Sequence, residues 1–489
     1  MIFNSLAFLI FFLIVFFCYW FLLKRNLKLQ NIFLLICSYV FYGWWDWRFL
    51  SLLIGSSLID YVIGSMIGRT EDKKKRKALL LVSLISNLGT LFFFKYFNFF
   101  IDSFSSLITA LGFIPHLTTL NIILPVGISF YTFQTLSYTI DIYKGKIQPS
   151  NDVVAFFTFV TFFPQLVAGP IERASHLLPQ FYKKREFDYE FASSGSKMIL
   201  LGFFKKMVIA DKVAVLVNAV YNNPSDYVGA PMVMATVMFA FQIYCDFSGY
   251  SDIAIGTGRI LGFDLMTNFK RPYYSKSISE FWTRWHISLS TWFKDYIYIP
   301  LGGNRVNQKR WAFNIFITFL ISGLWHGANW TFIVWGAYHG VLLVFERYTK
   351  SVSDGWLNLL IPKFLVKLVP ALVTFSLVCV GWIFFRANSI QDATFVLTHM
   401  FSDVGDYLDP VKMAVKFRGM GWTPTDLIKV FIFILMLEII QWIDRKRFWG
   451  DSIRKLPRYL QWFFYVLLLT IIIFFGIENS VENFIYFQF

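Results

Sequence analysis

Two histidines, His286 and His326, stand forty positions apart in a chain dominated by aliphatic and aromatic residues. An imidazole of ordinary pKa, about 6.5, accepts and returns a proton near neutrality, which is what general base catalysis asks of a side chain. Ionisable groups at membrane depth are expensive to keep, so each is a candidate functional group. His326 lies in the run SGLWHGANW, between Trp325 and Gly327, where a small neighbour would let a substrate approach. His286 lies in FWTRWHISLS, among tryptophans that could hold it for packing alone. His339 follows His326 by thirteen positions, too far for an HxxxH pair, and no HExxH is present, so no metal is expected. In YCDFSGYSDIAIG, the carboxylates Asp246 and Asp252 flank Ser248. A serine nucleophile would need the GxSxG elbow after a strand, which is missing. The carboxylates are expected instead to pair with basic residues such as Arg259, Arg271 or Arg284, or to orient a histidine. Gly256, Gly258 and Gly262 have the wrong spacing for a dinucleotide loop and suit close helix packing.

Read as one helix, residues 281–298 carry Trp282, Trp285, Leu289, Trp292, Phe293 and Tyr296 on one stripe at spacings of three and four. A helix so rich in Trp and Tyr is expected to lie at the membrane interface or roof a cavity rather than to span. From Trp311 to Val344 the chain is apolar, roughly 50 Å if helical, too long for one straight span. Gly323, Gly327, Gly336 and Gly340 offer places to break it, and His326 would lie about 22 Å beyond Arg310.

These elements belong to a polytopic membrane protein. Charged residues make up 15% of the 489, against about 25% in soluble proteins, while 56% are hydrophobic and 20% aromatic. Further spans are expected at 2–23, 29–45, 49–68, 78–100, 120–142, 151–170, 196–221, 230–245, 364–385, 427–443 and 461–477, giving about eleven to thirteen crossings in one domain over 1–489. Pro125, Pro164, Pro170 and Pro231 interrupt apolar runs, and broken backbone at depth is tolerated only where protein or water satisfies it. The net charge of +15 fits basic loops facing anionic lipid, with no nucleic-acid partner. Lys24–Lys28 and Arg69–Lys77 fall on one side, cytoplasmic by the positive-inside rule, which puts the N-terminus outside. The polar stretch 171–197, with Lys183, Lys184 and Arg185, reads as a cytoplasmic surface open to an acidic donor. The four cysteines are scattered through apolar runs and suggest buried thiols rather than disulfides.

The runs PVGISFYTFQTLSY (125–138), FFPQLVAGPI (162–171), YCDFSGYSDIAIG (244–256) and FIYFQF (484–489), together with the central stretch, carry a resemblance. The chain resembles the membrane-bound O-acyltransferase (MBOAT) family, in the bacterial branch of alginate O-acetyltransferases and teichoic-acid D-alanyl transferases. That resemblance implies an all-α ring of helices, with re-entrant or interfacial pieces, around a central tunnel. It carries the family's functional histidines over to His286 and His326. It implies transfer of an acetyl or other short acyl group from a cytoplasmic thioester, acetyl-CoA or an acyl carrier protein, with no bound cofactor. The acceptor would be an extracytoplasmic polysaccharide at a bacterial inner membrane, reached directly or through an SGNH-type acetyltransferase partner. In that frame His326 is expected to be the base. His286 would position donor or acceptor, or donate a hydrogen bond to the developing oxyanion. Trp282, Arg284, Trp285, Asn329 and Asp246 are candidate substrate contacts. The competing class is a secondary transporter or flippase for a lipid-linked glycan, with Asp246 and Asp252 binding a coupling ion.

The orientation is testable by labelling. Cysteines placed at Asn26 and Asp72, in a background lacking the native four, are expected to resist an impermeant maleimide in intact cells, while one at Asp46 reacts; the reverse pattern would overturn the assigned donor side.

Overall fold

Every regular element in the computed structural model is helical among the described residues, which are 1–115, 117–167, 169–360, 368–405, 409–443, 453–476 and 485. Residues 484 and 486–489 of the FIYFQF run lie outside them, as do 364–367 of the expected span at 364–385. Five helical stretches are long and apolar enough to cross a membrane: Leu27–Arg69, Lys73–Ala110, Ala230–Ile260, Leu368–Arg386 and Arg458–Gly476. The chain divides into two units, 1–199 with 253–266, and 200–252 with 267–489.

The first unit opens with α1 (Leu6–Phe17), α2 (Leu27–Asp46), α3 (Leu50–Arg69) and α4 (Lys73–Leu91), of which α1, α2 and α4 begin where a short polar side chain meets the free backbone N–H groups of the first turn. Ser5 accepts from Phe8 N, Asn26 from Leu29 N and Asp72 from Lys74 N. The expected span at 120–142 becomes α5 (Ile128–Tyr143), starting only after Pro125 and a left-handed Gly127 at φ 75°. Asp152 caps α6 (Val153–Thr161). α3, α4 and α5 are tied by a polar core in which Asp60 accepts from Ser83 Oγ at 2.5 Å and Asn87 Nδ2 at 2.8 Å. Gly64 allows that contact, because a Cβ there would stand 2.6 Å from the Tyr138 ring. Arg185 departs from the expected basic surface. Only 5% exposed, it donates to Asn31 Oδ1 at 2.6 Å and lies 4.8 Å from the Phe263 ring centre, while Lys183 and Lys184 stay exposed. In the same polar stretch, hydrogen bonding to Glu172 at 2.9 Å raises the His176 imidazole above its ordinary pKa. Gly256 faces Gly195, whose Cβ would come within 2.6 Å of the Gly256 carbonyl, the close helix packing expected there, whereas Gly262 lies past the helix end at Ile260 in a left-handed turn (φ 83°).

In the second unit lies most of α7 (Ala230–Ile260), whose Pro231 falls in the first turn, where its missing N–H costs nothing. There follow α8 (Ile278–Arg284), α9 (Ile287–Phe293), α10 (Gln308–His326), α11 (Trp330–Leu360) and α12 (Leu368–Arg386). Of the four glycines expected to break the 311–344 run, only Gly327 lies at the break. The others are interior to α10 and α11 and bring the two helices together. A Cβ on Gly323 would collide with the Phe332 carbonyl and stand 3.1 Å from the Gly336 Cα, and one on Gly336 would collide with the Phe319 carbonyl. Small residues at facing positions let helix backbones approach this closely.

A larger side chain at this contact must force the helices apart. Gly336→Leu is expected to lower the thermal unfolding midpoint of the detergent-solubilised protein, by about 1–3 kcal/mol or more of overpacking. Gly55→Leu, where an added Cβ meets nothing within 4 Å, is expected to leave the midpoint near wild type. Equal midpoints for the two variants would contradict the close contact.

Candidate active site

The segment 281–298 is not one helix. Ser277 caps α8, which ends at Arg284; Trp285 is extended (φ −102°, ψ 129°) and His286 is left-handed (φ 43°, ψ 54°) before α9 begins. A left-handed backbone costs a residue with a Cβ about 1–2 kcal/mol and persists only where neighbours hold it. The neighbours here are the chain at 268–270. Lys270 N donates to the Arg284 carbonyl and Ile287 N to the Asn268 carbonyl, each at 2.9 Å. The break turns the His286 ring inward, where it is 1% exposed and meets Phe247 edge-on at 4.6 Å and Trp325 at 6.2 Å.

His326 is the last residue of α10 and is 4% exposed. Its ring lies 5.0 Å from Trp325, 4.9 Å from Trp335 and 5.3 Å from Phe385, an aromatic box drawn from α10, α11 and α12. Trp325 thus touches both histidines, one indole separating them. Gly327 does not open a path beside His326, because a Cβ there would collide with the Phe332 ring. The glycine admits Phe332, and through Phe332 the box is closed against Phe385 at 5.0 Å. A third imidazole joins the cluster. His339 is fully buried, 5.0 Å from Trp282 and 5.2 Å from Trp335, and neither of its ring nitrogens has a hydrogen-bond partner among the described residues.

The other sequence candidates fall around this cluster in different ways. Trp282 packs on Trp335 and His339, inside it. Trp285 is buried against Trp382 at 4.9 Å and Phe281 at 5.6 Å and serves the wall. Arg284 is held by Glu280, one turn back. Asn329 accepts from Thr331 N at 3.0 Å and donates to the Asn388 carbonyl at 3.1 Å, closing the turn between α10 and α11. Asp246 pairs with Lys206 at 2.8 Å and accepts from Ile485 N at 2.7 Å, and Asp252 pairs with Lys205 at 2.7 Å. Their partners are therefore lysines rather than the expected arginines. Lys206 is shared, since it also meets Asp211 at 2.8 Å. It is Phe247, the residue after Asp246, that reaches His286.

Asn268 was not legible as a site residue. Its side chain is 1% exposed, and Oδ1 lies 3.1 Å from His286 Nδ1, 3.0 Å from Ser288 Oγ and 3.3 Å from Ser288 N. It precedes His286 by eighteen positions in an irregular segment, where neither periodicity nor a motif marks it. Among the described residues no group of three or more His, Cys, Asp or Glu side chains could hold a metal ion.

Residues 150–380 match the family model described as MBOAT, membrane-bound O-acyltransferase family. A Pseudomonas aeruginosa protein named "Probable alginate O-acetylase AlgI" is 42% identical over 82% of this chain and 75% of its own length. A Helicobacter pylori protein named peptidoglycan O-acetyltransferase is 36% identical over 82% of this chain and 80% of its own. The Bacillus subtilis teichoic acid D-alanyltransferase is 29% identical over 56% of this chain and 71% of its own.

Proposed function

Because the chain belongs to the membrane-bound O-acyltransferase family, we propose that His326 and His286 carry the transfer of an acetyl or other short acyl group to hydroxyls of an extracytoplasmic polysaccharide. The protein is an O-acyltransferase of the membrane. The observation that carries the residue assignment is the convergence of both histidines on Trp325, in a box closed by Trp335 and Phe385.

In this reading His326 takes the proton of the acceptor hydroxyl as its oxygen attacks the carbonyl of a thioester. The new C–O bond forms, the C–S bond breaks, and the thiolate leaves with the proton returned by the imidazolium. A neutral imidazole suits the first half and its conjugate acid the second. Aromatic walls exclude water, which would otherwise compete as the acceptor. His286, one indole away, orients the reacting groups. The donor is a coenzyme A or carrier-protein thioester on the cytoplasmic side of a bacterial inner membrane, and the N-terminus lies outside. Little polar surface is available to grip a long glycan, which favours a relay to an external SGNH-type acetyltransferase. The relatives' names, alginate O-acetylase and peptidoglycan O-acetyltransferase, support a polysaccharide acceptor.

Ester content of the secreted glycan, at matched protein levels, tests the base. Removing a general base costs about 10²–10⁴-fold, so His326→Ala is expected to abolish detectable transfer with expression and donor binding intact. Retention of more than about a tenth of wild-type ester, well above that loss, would remove His326 from the role. Purified alone, the wild-type protein is expected to bind or turn over a labelled acetyl-CoA or acetylated carrier-protein donor while acetylating polymer poorly. Failure either to bind or to turn over both thioesters would return the transporter class, and efficient acetylation would refute the relay. His339→Ala is unsuitable as a neutral control, since it would empty a fully buried site against Gly381.

A further inference from the structure

Three donors converge on one oxygen beside His286. Asn268 Oδ1 lies 3.1 Å from the ring Nδ1, 3.0 Å from Ser288 Oγ and 3.3 Å from the Ser288 backbone N. A backbone N–H can only donate, so the amide atom facing Ser288 N is the oxygen and not the NH₂ group. An amide oxygen can only accept, so the Nδ1 it faces carries a proton. We propose that Asn268 is the positioning residue that fixes His286 in its Nδ1–H tautomer, so that in the neutral ring Nε2 serves as a proton or hydrogen-bond acceptor and never as a donor.

This rests on the reading of His286 as part of the reacting site and changes what His286 does there. Of the two roles expected from the sequence, donation to the oxyanion is closed to the neutral ring. Accepting from the attacking hydroxyl, or from a donor that must be aligned, is what remains. The backbone supports the same assignment. The Asn268 carbonyl takes the Ile287 N–H at 2.9 Å while the side chain faces the next N–H, so residue 268 holds both sides of the left-handed turn that aims the ring. Asn268 Nδ2 is buried with no hydrogen-bond partner among the described residues. Turning the amide over would give its NH₂ a partner in Ser288 Oγ but set it against the Ser288 N–H, so the orientation that is held is the one with the oxygen toward the His286 ring.

Nitrogen-15 NMR of the full-length protein in lipid, labelled at histidine and assigned by loss of the His286 signal in His286→Gln, reads the tautomer directly. A pyrrole-type Nδ1 and a pyridine-type Nε2 are expected, and Asn268→Ala is expected to mix the two forms. A pyridine-type Nδ1 in wild type would overturn the proposal, since it would mean that the amide donates to the ring. The kinetic readout is independent of it. Asn268→Ala is expected to lower kcat by roughly 10²-fold, with the donor KM little changed. Asn268→Asp keeps the acceptor and places a carboxylate beside the ring, which favours the protonated imidazole. Because the ring must be unprotonated to accept, transfer is lost as pH falls through its pKa. The acidic limb of the kcat profile is therefore expected to move to higher pH in Asn268→Asp, with activity recovering toward wild type above it. A profile that superimposes on wild type, or an Ala variant whose loss follows only from less folded protein, would assign Asn268 to capping and overturn the role. Wild-type transfer by His286→Gln would instead overturn the functional reading of the site, while the NMR tautomer would still decide the assignment of Asn268.

Discussion

The approach of α10 to α11 is the constraint on which the candidate site depends. Gly323 and Gly336 let the two backbones come close enough that one helix's interior faces the carbonyls of the other. With that distance set, His326 at the end of α10 meets Trp335 of α11 at ring-contact range, and Trp335 in turn packs on His339. Dispersion and edge-to-face ring contacts are individually small, and they accumulate only where the walls are this near. The catalytic proposal therefore traces back to the absence of side chains at two positions.

A second constraint is what a low-dielectric interior demands of charge. Asp246 and Asp252, buried or half-buried, are each met by a lysine, Lys206 and Lys205, at 2.7–2.8 Å. Removing either lysine would leave an uncompensated carboxylate, a loss far larger than an exposed pair would show. The histidines obey a different rule. Neutral imidazoles tolerate an aromatic surrounding without a counter-ion, and His286 and His326 are placed among rings rather than carboxylates. Chemistry at neutral pH is compatible with that setting because neither ring must carry charge at rest.

The membrane class and the helical spans were legible because each leaves a local mark: low charge and apolar runs of span length. The break at Trp285–His286 was not. The stripe of Trp282, Trp285, Leu289 and Trp292 satisfies a helical period even though the chain turns within it, since periodicity reports which residues are apolar and not the φ of the residue between them. The roles of Gly323 and Gly336 were misassigned for a related reason: a glycine that breaks a helix and one that admits a neighbour look the same in sequence. Arg185 reads as surface charge beside Lys183 and Lys184 until the Phe263 ring and Asn31 are seen to receive it. Asn268 is invisible for the most general reason, that its partners are eighteen and twenty positions away.

The central claim is that His286 and His326 act together on one reacting group. Residues that serve a single step are strongly non-additive, whereas independent contributors multiply their losses. The decisive measurement is acyl transfer from labelled donor, followed to low turnover, for His286→Gln, His326→Gln and the double variant, each at matched folded protein. A shared step predicts that the double variant transfers at about the rate of the slower single variant; a rate equal to the product of the two single losses would contradict it.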